Sequence, residues 1–281
     1  ILAATAFIWR RQGRFEEGIE RLERALEVSP RDAQIAALIG EYSMLARDYP
    51  QAVEYLDMAI GMAPDNDWSY NIKSHTLLSW RGDLEGSRRV LESLPGIDKG
   101  DDGYYWGWSS HHRLSRDFEE LLELLENVSF ETFSSQLVSI PVELDRGDAL
   151  RFMGRNEEAR SAYEAARIAL EQELEQRPDD FRLHSSLGLA YAALGRKAEA
   201  IAAGKRAVEM QPVEKDAYIG PLQVRHLAII YAQLGEPDLA VDQLEYLLSI
   251  PSRTSVQILR LDPVWDPLRD HPRFQALLAS G

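Results

Sequence analysis

The chain has 281 residues, 31 basic and 46 acidic side chains, a formal net charge of −15, 45% hydrophobic residues and no cysteine. It is too apolar for a disordered chain and lacks the roughly 18-residue apolar run of a membrane span. Without cysteine it has no disulfide framework, thiolate nucleophile, Cys-ligated zinc or Fe–S cluster, and both cytoplasm and periplasm stay open, the cytoplasm preferred. The acidity, with a pI near 4.9, disfavours nucleic acid, whose backbone is bound through Lys and Arg. The chain opens on Ile1, and the run to Trp9 has neither the basic region nor the cleavage site of a signal peptide, so a piece of a longer protein is expected.

Turn-forming positions recur at Gly13, Arg47, Gly82, Arg116, Gly154, Gly195 and Gly235, at spacings of 34, 35, 34, 38, 41 and 40 residues. In the first unit Gly18 and Ala25 follow Gly13, on one side of a helix that must stop near Pro30. The second repeats this with Gly40, Ala52, Ala59 and Pro64 around Arg47. The third and fourth are degenerate: Ser74, His75, Ser109 and His112 occupy first helices, Ser87 and Leu94 follow Gly82, and Leu121 follows Arg116. The fifth carries Gly147, Ala159, Tyr163 and Ala166, and its second helix is expected to continue through Gln176, stopping before Pro178. Leu187, Gly188, Tyr191, Gly195, Ala200, Ala207 and Pro212 make the sixth unit the most regular. Some six added residues then precede Val224, after which Leu227, Ala228, Tyr231, Gly235, Ala240, Leu247 and Pro251 form the seventh. The tail breaks the period: Val256, Ile258, Leu259 and Leu261 are expected to cover the last unit, Asp262–Arg269 to turn compactly, and His271–Leu278 to form a short helix.

These small, aromatic and proline positions, in phase across units, resemble the tetratricopeptide repeat, a helix-turn-helix unit of about 34 residues. The resemblance implies an all-α, right-handed superhelical solenoid of about seven units over 1–251, ending near 32, 66, 98, 130, 178, 212 and 251, with a capping segment over 252–281. The ending also resembles repeat regions attached to bacterial Ser/Thr kinases, nucleotide cyclases and winged-helix regulators. A carboxylate clamp of Asn and Lys known in some repeats of this kind is not matched, because Phe7, Leu38 and Leu189 stand at its positions.

The phosphate-loop, dinucleotide, nucleophile-elbow and HExxH motifs are absent, and no cofactor or metal is expected. Adjacent His111 and His112 point about 100° apart on a helix and do not suit one ion. Trp68, Tyr70, Trp80, Tyr104, Tyr105, Trp106 and Trp108 either fill gaps in the degenerate units or line an aromatic pocket.

In a solenoid of this kind the first helices line the concave face and the second the convex one. Acidic residues such as Glu16, Glu17, Glu20, Glu119, Glu120 and Glu123 then fall outside. The inward set includes Phe7, Met44 and Leu144 and, as candidate groove residues, Arg10, Glu41, Thr76, Trp80, Trp106, Ser110, Arg113, Asp148, Arg151, Arg182, Ser185 and Arg225. Arginines supply five of its seven charges. Two readings follow: a locally basic groove suited to a carboxylate or an acidic peptide, or arginines paired with nearby acids. The expected function is a non-catalytic scaffold that takes a peptide, helix or neighbouring domain in its groove, within a larger bacterial signalling protein. The alternatives are a small-ligand sensor at Trp80 and Trp106, or a helical enzyme around His111 and His112.

Overall fold

A computed structural model describes residues 2–279; Ile1, Ser280 and Gly281, at the ends of the two assigned spans, lie outside the described residues. Helices pair in chain order. α1 (Leu2–Arg11) packs on α2 (Phe15–Val28), α3 (Ala33–Leu45) on α4 (Tyr49–Met62), α5 (Asp67–Arg81) on α6 (Leu84–Glu92), and α7 (Asp102–Ser115) on α8 (Phe118–Asn127). α9 (Val142–Phe152) packs on α10 (Asn156–Gln176), α11 (Phe181–Ala193) on α12 (Lys197–Met210), and α13 (Gly220–Gln233) on α14 (Pro237–Ser249). A short helix α15 (Val256–Leu261), a 3-10 turn (Pro263–Leu268) and α16 (Pro272–Ala279) follow. The architecture is an all-α solenoid of helix pairs.

The recurring turn positions act through the backbone. Gly13, Arg47, Gly82, Arg116, Gly154, Gly195 and Gly235 all have positive φ, between 63° and 77°. A left-handed residue ends the first helix and turns the chain into the second. For glycine this costs little, whereas each arginine forfeits about 1 kcal/mol to its Cβ. Helix starts are marked by Asp32, Asp48, Asn66, Asp83 and Asp180, whose side chains accept backbone N–H groups of the first turn. The small-residue stripe sets the helix spacing: a Cβ on Gly40 would lie 2.6 Å from Cγ of Leu56, so α3 and α4 meet at a separation that only glycine permits.

First helices are the inner ones. α3 and α13 are buried on nearly every side, while α2 and α4 bury a single stripe. α10 runs 21 residues, as its extended pattern predicts. One element escapes the sequence reading. Between α8 and α9 lies an antiparallel hairpin, β1 (Thr132–Ser134) with β2 (Ser139–Pro141), Phe133 facing Ile140. Phe130 and Phe133 pack on Tyr105 of α7 at centroid distances of 5.3 and 5.1 Å, and β2 lies against α9, α10 and α11.

The C-terminal segment does more than cover the last pair. Val264, Trp265, Leu268 and Phe274 share a core with Leu227, Val241 and Leu244 of α13 and α14. α15, however, reaches across to α5 and α7, where Ile258 joins Leu78 and Leu114 in a small apolar cluster. The added residues before α13 reach α1, the N–H of Ala217 donating to the carbonyl of Arg11 at 2.8 Å. The array therefore closes on itself. Its accessible surface is 12396 Å², matching the roughly 12,200 Å² of a compact monomer of this mass.

Candidate functional site

The inner face carries four polar clusters, three of them completed by a segment from elsewhere in the chain. Arg10 of α1 is 4% exposed and donates to Glu41 Oε2 of α3 at 3.1 Å. Glu41 Oε1 in turn accepts from the Tyr218 hydroxyl at 2.8 Å and from Arg253 at 2.6 Å. The Arg10 guanidinium lies over the Tyr218 ring at 3.5 Å, and burial together with the Glu41 charge pushes that phenol up to about 12. Glu41 is thus a buried carboxylate with two cations and a hydroxyl around it, the arrangement that a buried charge requires.

The second cluster centres on Asp262, fully buried at the head of the 3-10 turn. Its Oδ2 accepts from Arg225 of α13 at 2.7 Å, and its Oδ1 lies 3.6 Å from Nε of Arg113 on α7. Two inner arginines from distant units thus converge on one carboxylate. Beside them, His75 is held down to about 3 by burial and by the charges of Arg253, Arg225 and Arg113.

In the third cluster Asp148 Oδ1 accepts from the Tyr163 hydroxyl at 2.7 Å and from Arg151 at 3.2 Å, while Tyr105 donates to Asp145. A cavity of about 20 Å³ lies here among Ser109, Arg113, Leu121, Asp145, Asp148, Ala149 and Phe152, about the space of one water molecule. In the fourth, Arg182 donates to the Ser135 carbonyl at 2.7 Å and to Asp180 at 2.6 Å. Ser185 Oγ and His226 Nδ1 are 2.7 Å apart, and Ser186 donates to the Ser139 carbonyl at 2.7 Å. The hairpin is therefore stitched onto α11.

The remaining candidate residues divide. Thr76 is buried and donates to the Ile72 carbonyl at 2.7 Å, and Ser110 is half-buried on α7. Trp80 stacks on Tyr49 at 6.4 Å with the Arg81 guanidinium 3.7 Å over its ring. Trp106 packs instead against the core group of Phe15, Ile72, Tyr218 and Ile219. His111 Nδ1 lies 3.0 Å from Ser87 Oγ, which is 2.8 Å from Ser74 Oγ. Ser87 is fully buried. His112 stacks on Trp108 at 5.2 Å and is lowered to about 4 by burial. Among the described residues no group of three or more His, Cys, Asp or Glu side chains is placed to hold a metal, and no helix is long and apolar enough to cross a membrane.

Phasing the helices finds the inner arginines and the acids of two of them, Glu41 for Arg10 and Asp148 for Arg151, but not Asp262, which Arg113 and Arg225 share. Asp216, Tyr218, Arg253 and Asp262 stand outside the repeat, in the inserted loop and the C-terminal segment. Arg47 and Arg116 are marked in the sequence only as two turn positions without glycine. Their side chains extend to the end of the chain: Arg47 donates to the carbonyls of Leu247 in α14 and Thr254 in the C-terminal segment at 3.0 and 3.3 Å, and Arg116 is bidentate on Asp266 of that segment at 2.9 and 2.6 Å.

Paired helices joined by left-handed turns, with polar side chains gathered on the inner face, define a helical-repeat protein. Models of the tetratricopeptide repeat match two stretches of the chain, residues 10–67 and 140–212. Among solved structures, the chain is similar to a tetratricopeptide repeat protein from Parabacteroides merdae, at 12% identity and a TM-score of 0.54 over 94% of this chain and 98% of that one. PilW, a widely conserved type IV pilus biogenesis factor, aligns at 12% identity over 88% of this chain and 91% of that one with a TM-score of 0.38. A search of curated proteins finds no match. The repeat is generally a non-catalytic scaffold that binds protein partners.

Proposed function

We propose that this protein is a protein–protein interaction scaffold whose inner face recognises an acidic segment of its partner. The carrying observation is Asp262: its carboxylate sits between Arg113 and Arg225, so the chain already presents to its inner face the group that an acidic partner would offer. Guanidinium groups suit that role through planar, charge-assisted hydrogen bonds. Among the candidate groove residues, Arg10 with Glu41 ties α1 to α3 and Ser185 ties α11 to α13, while Asp148 and Arg151 hold α9 to Tyr163 of α10 and Arg182 holds the hairpin. Protein is favoured over nucleic acid because exposed carboxylates such as Glu119, Glu120, Glu123 and Glu126 cover the outer face of α8. The same proposal places the chain in a larger bacterial signalling or regulatory protein, the setting that its Pro-punctuated ending resembles.

The test is fluorescence polarisation with a labelled Asp/Glu-rich peptide. Asp262→Asn keeps the side-chain oxygen that caps the 3-10 turn and removes the competing charge, so it is expected to bind the peptide about tenfold more tightly than wild type, the order expected when a charged competitor leaves an arginine pair. Adding Arg225→Gln is expected to abolish the gain. Equal binding of a Lys-rich peptide, or no response to either substitution, contradicts the proposal.

A further inference from the structure

Of the seven turn positions between paired helices, five hold glycine and two hold arginine, at Arg47 and Arg116, all with positive φ. A turn served by glycine at the other five gains nothing in its backbone from an arginine. Both exceptions nevertheless extend side chains to one region of the chain, and the other five have no side chain with which to do so. Arg47, some 200 residues from its partners, donates to the carbonyls of Leu247 and Thr254, which bracket the loop between α14 and α15. Arg116 grips Asp266 in the 3-10 turn with two hydrogen bonds. Between these anchors lie the two residues that fill the inner face, Arg253 on Glu41 and Asp262 on Arg113 and Arg225.

We propose that Arg47 and Arg116 form a clasp that holds the C-terminal segment, residues 250–269, shut over α3, α5 and α7, and so controls access to the inner arginines. The clasp regulates the acidic-segment site proposed above and rests on that reading for its purpose, although its existence is tested without any partner. The joint it spans is of the kind that opens. Its contacts are largely ionic or to carbonyls, with one small apolar cluster of Ile258, Leu78 and Leu114 at the centre. Interfaces of that composition move more readily than broad apolar ones. The segment's other side is held differently: Val264, Trp265, Leu268 and Phe274 lie in the core with α13 and α14. Opening therefore lifts residues 250–262 off α3, α5 and α7, while Val264, Trp265, Leu268 and Phe274 stay in that core and Tyr218 and Ile219 keep the last pair against Phe15 and Ile72. It breaks the contacts to α3, α5 and α7 and unmasks Arg113.

The experiment uses the full chain with Arg47→Gly and Arg116→Gly combined, a change that relaxes both turns. The clasp predicts that amide exchange across 254–262 accelerates at least tenfold while α2, α10 and α12 keep their protection. Spin labels placed through Glu54→Cys on α4 and Arg260→Cys on α15, the chain having no other cysteine, are expected to move from one narrow distance to a broader, longer distribution. Asp266→Asn, which leaves both turns as they are, is expected to give the same change more weakly. Unchanged exchange and unchanged distances in both variants, with a higher melting temperature in the glycine variant, overturn the clasp. Failure of an acidic peptide to bind a variant that does open leaves the clasp standing and overturns the partner reading instead.

Discussion

The inner face is a chain of buried charges, and its stability depends on each charge keeping its partner. Glu41 is fully buried with Arg10, Arg253 and Tyr218 around it. Removing one member of such a group strands the others in a medium that solvates them poorly, a loss of about 3–5 kcal/mol for buried pairs. The histidines nearby have the opposite requirement, to stay neutral. Burial holds His75 and His226 down to about 3, with Arg225 and Arg113 adding to both, and burial holds His112 to about 4 with His111 adding. In the unfolded chain each titrates near 6.5. Because the folded values are depressed, the contribution to stability is fully present above that pH and is lost as pH falls toward the folded values. Between pH 6.5 and 5 each histidine should remove about 1 kcal/mol per pH unit. Urea unfolding midpoints are thus expected to fall well before ordinary carboxylates titrate; equal midpoints at pH 7 and pH 5 would contradict the buried neutral assignment.

At the scale of elements, the repeat was legible because its constraints are local. Gly40, Ala52 and Ala59 lie at helix spacing, and the structure places them where α3 and α4 touch. A methyl group on Gly40 would meet Leu56 at 2.6 Å. Gly40→Ala gains about 1 kcal/mol in helix propensity and loses about 1–3 kcal/mol to overpacking. A net loss of about 1 kcal/mol in a thermal or chemical melt is expected, and net stabilisation would show that the helix pair has room to spare. The hairpin was not legible: β1 and β2 are three residues each, too short for alternation to register, and what fixes them is contact with Tyr105 and α11 rather than their own pattern. The inner arginines were legible by helix phase, yet whether they were free or paired was not. Arg10 and Arg151 find their acids within the repeats, at Glu41 and Asp148, whereas Arg113 and Arg225 share Asp262, whose position depends on a tail that obeys no period. Arg47 and Arg116 are the clearest case, readable as turns and unreadable as long-range contacts.

Across the whole molecule, these contacts turn an array of helix pairs into a closed body. An open superhelix exposes its groove along its length; here the hairpin, the loop before α13 and the C-terminal segment enter it from three places. That explains how a chain of net charge −15 buries several arginines, Glu41 holding Arg10 and Arg253 and Asp262 holding Arg113 and Arg225. It also gives the acidic-partner proposal a definite form, displacement of an internal carboxylate rather than entry into an empty groove. Everything in that account depends on closure. Small-angle X-ray scattering of the full chain at moderate salt tests it most directly. The closed array predicts a single compact particle with a radius of gyration of about 19 Å, the value for a globular chain of this length. A markedly larger radius, with the scattering of an elongated superhelix, would contradict it.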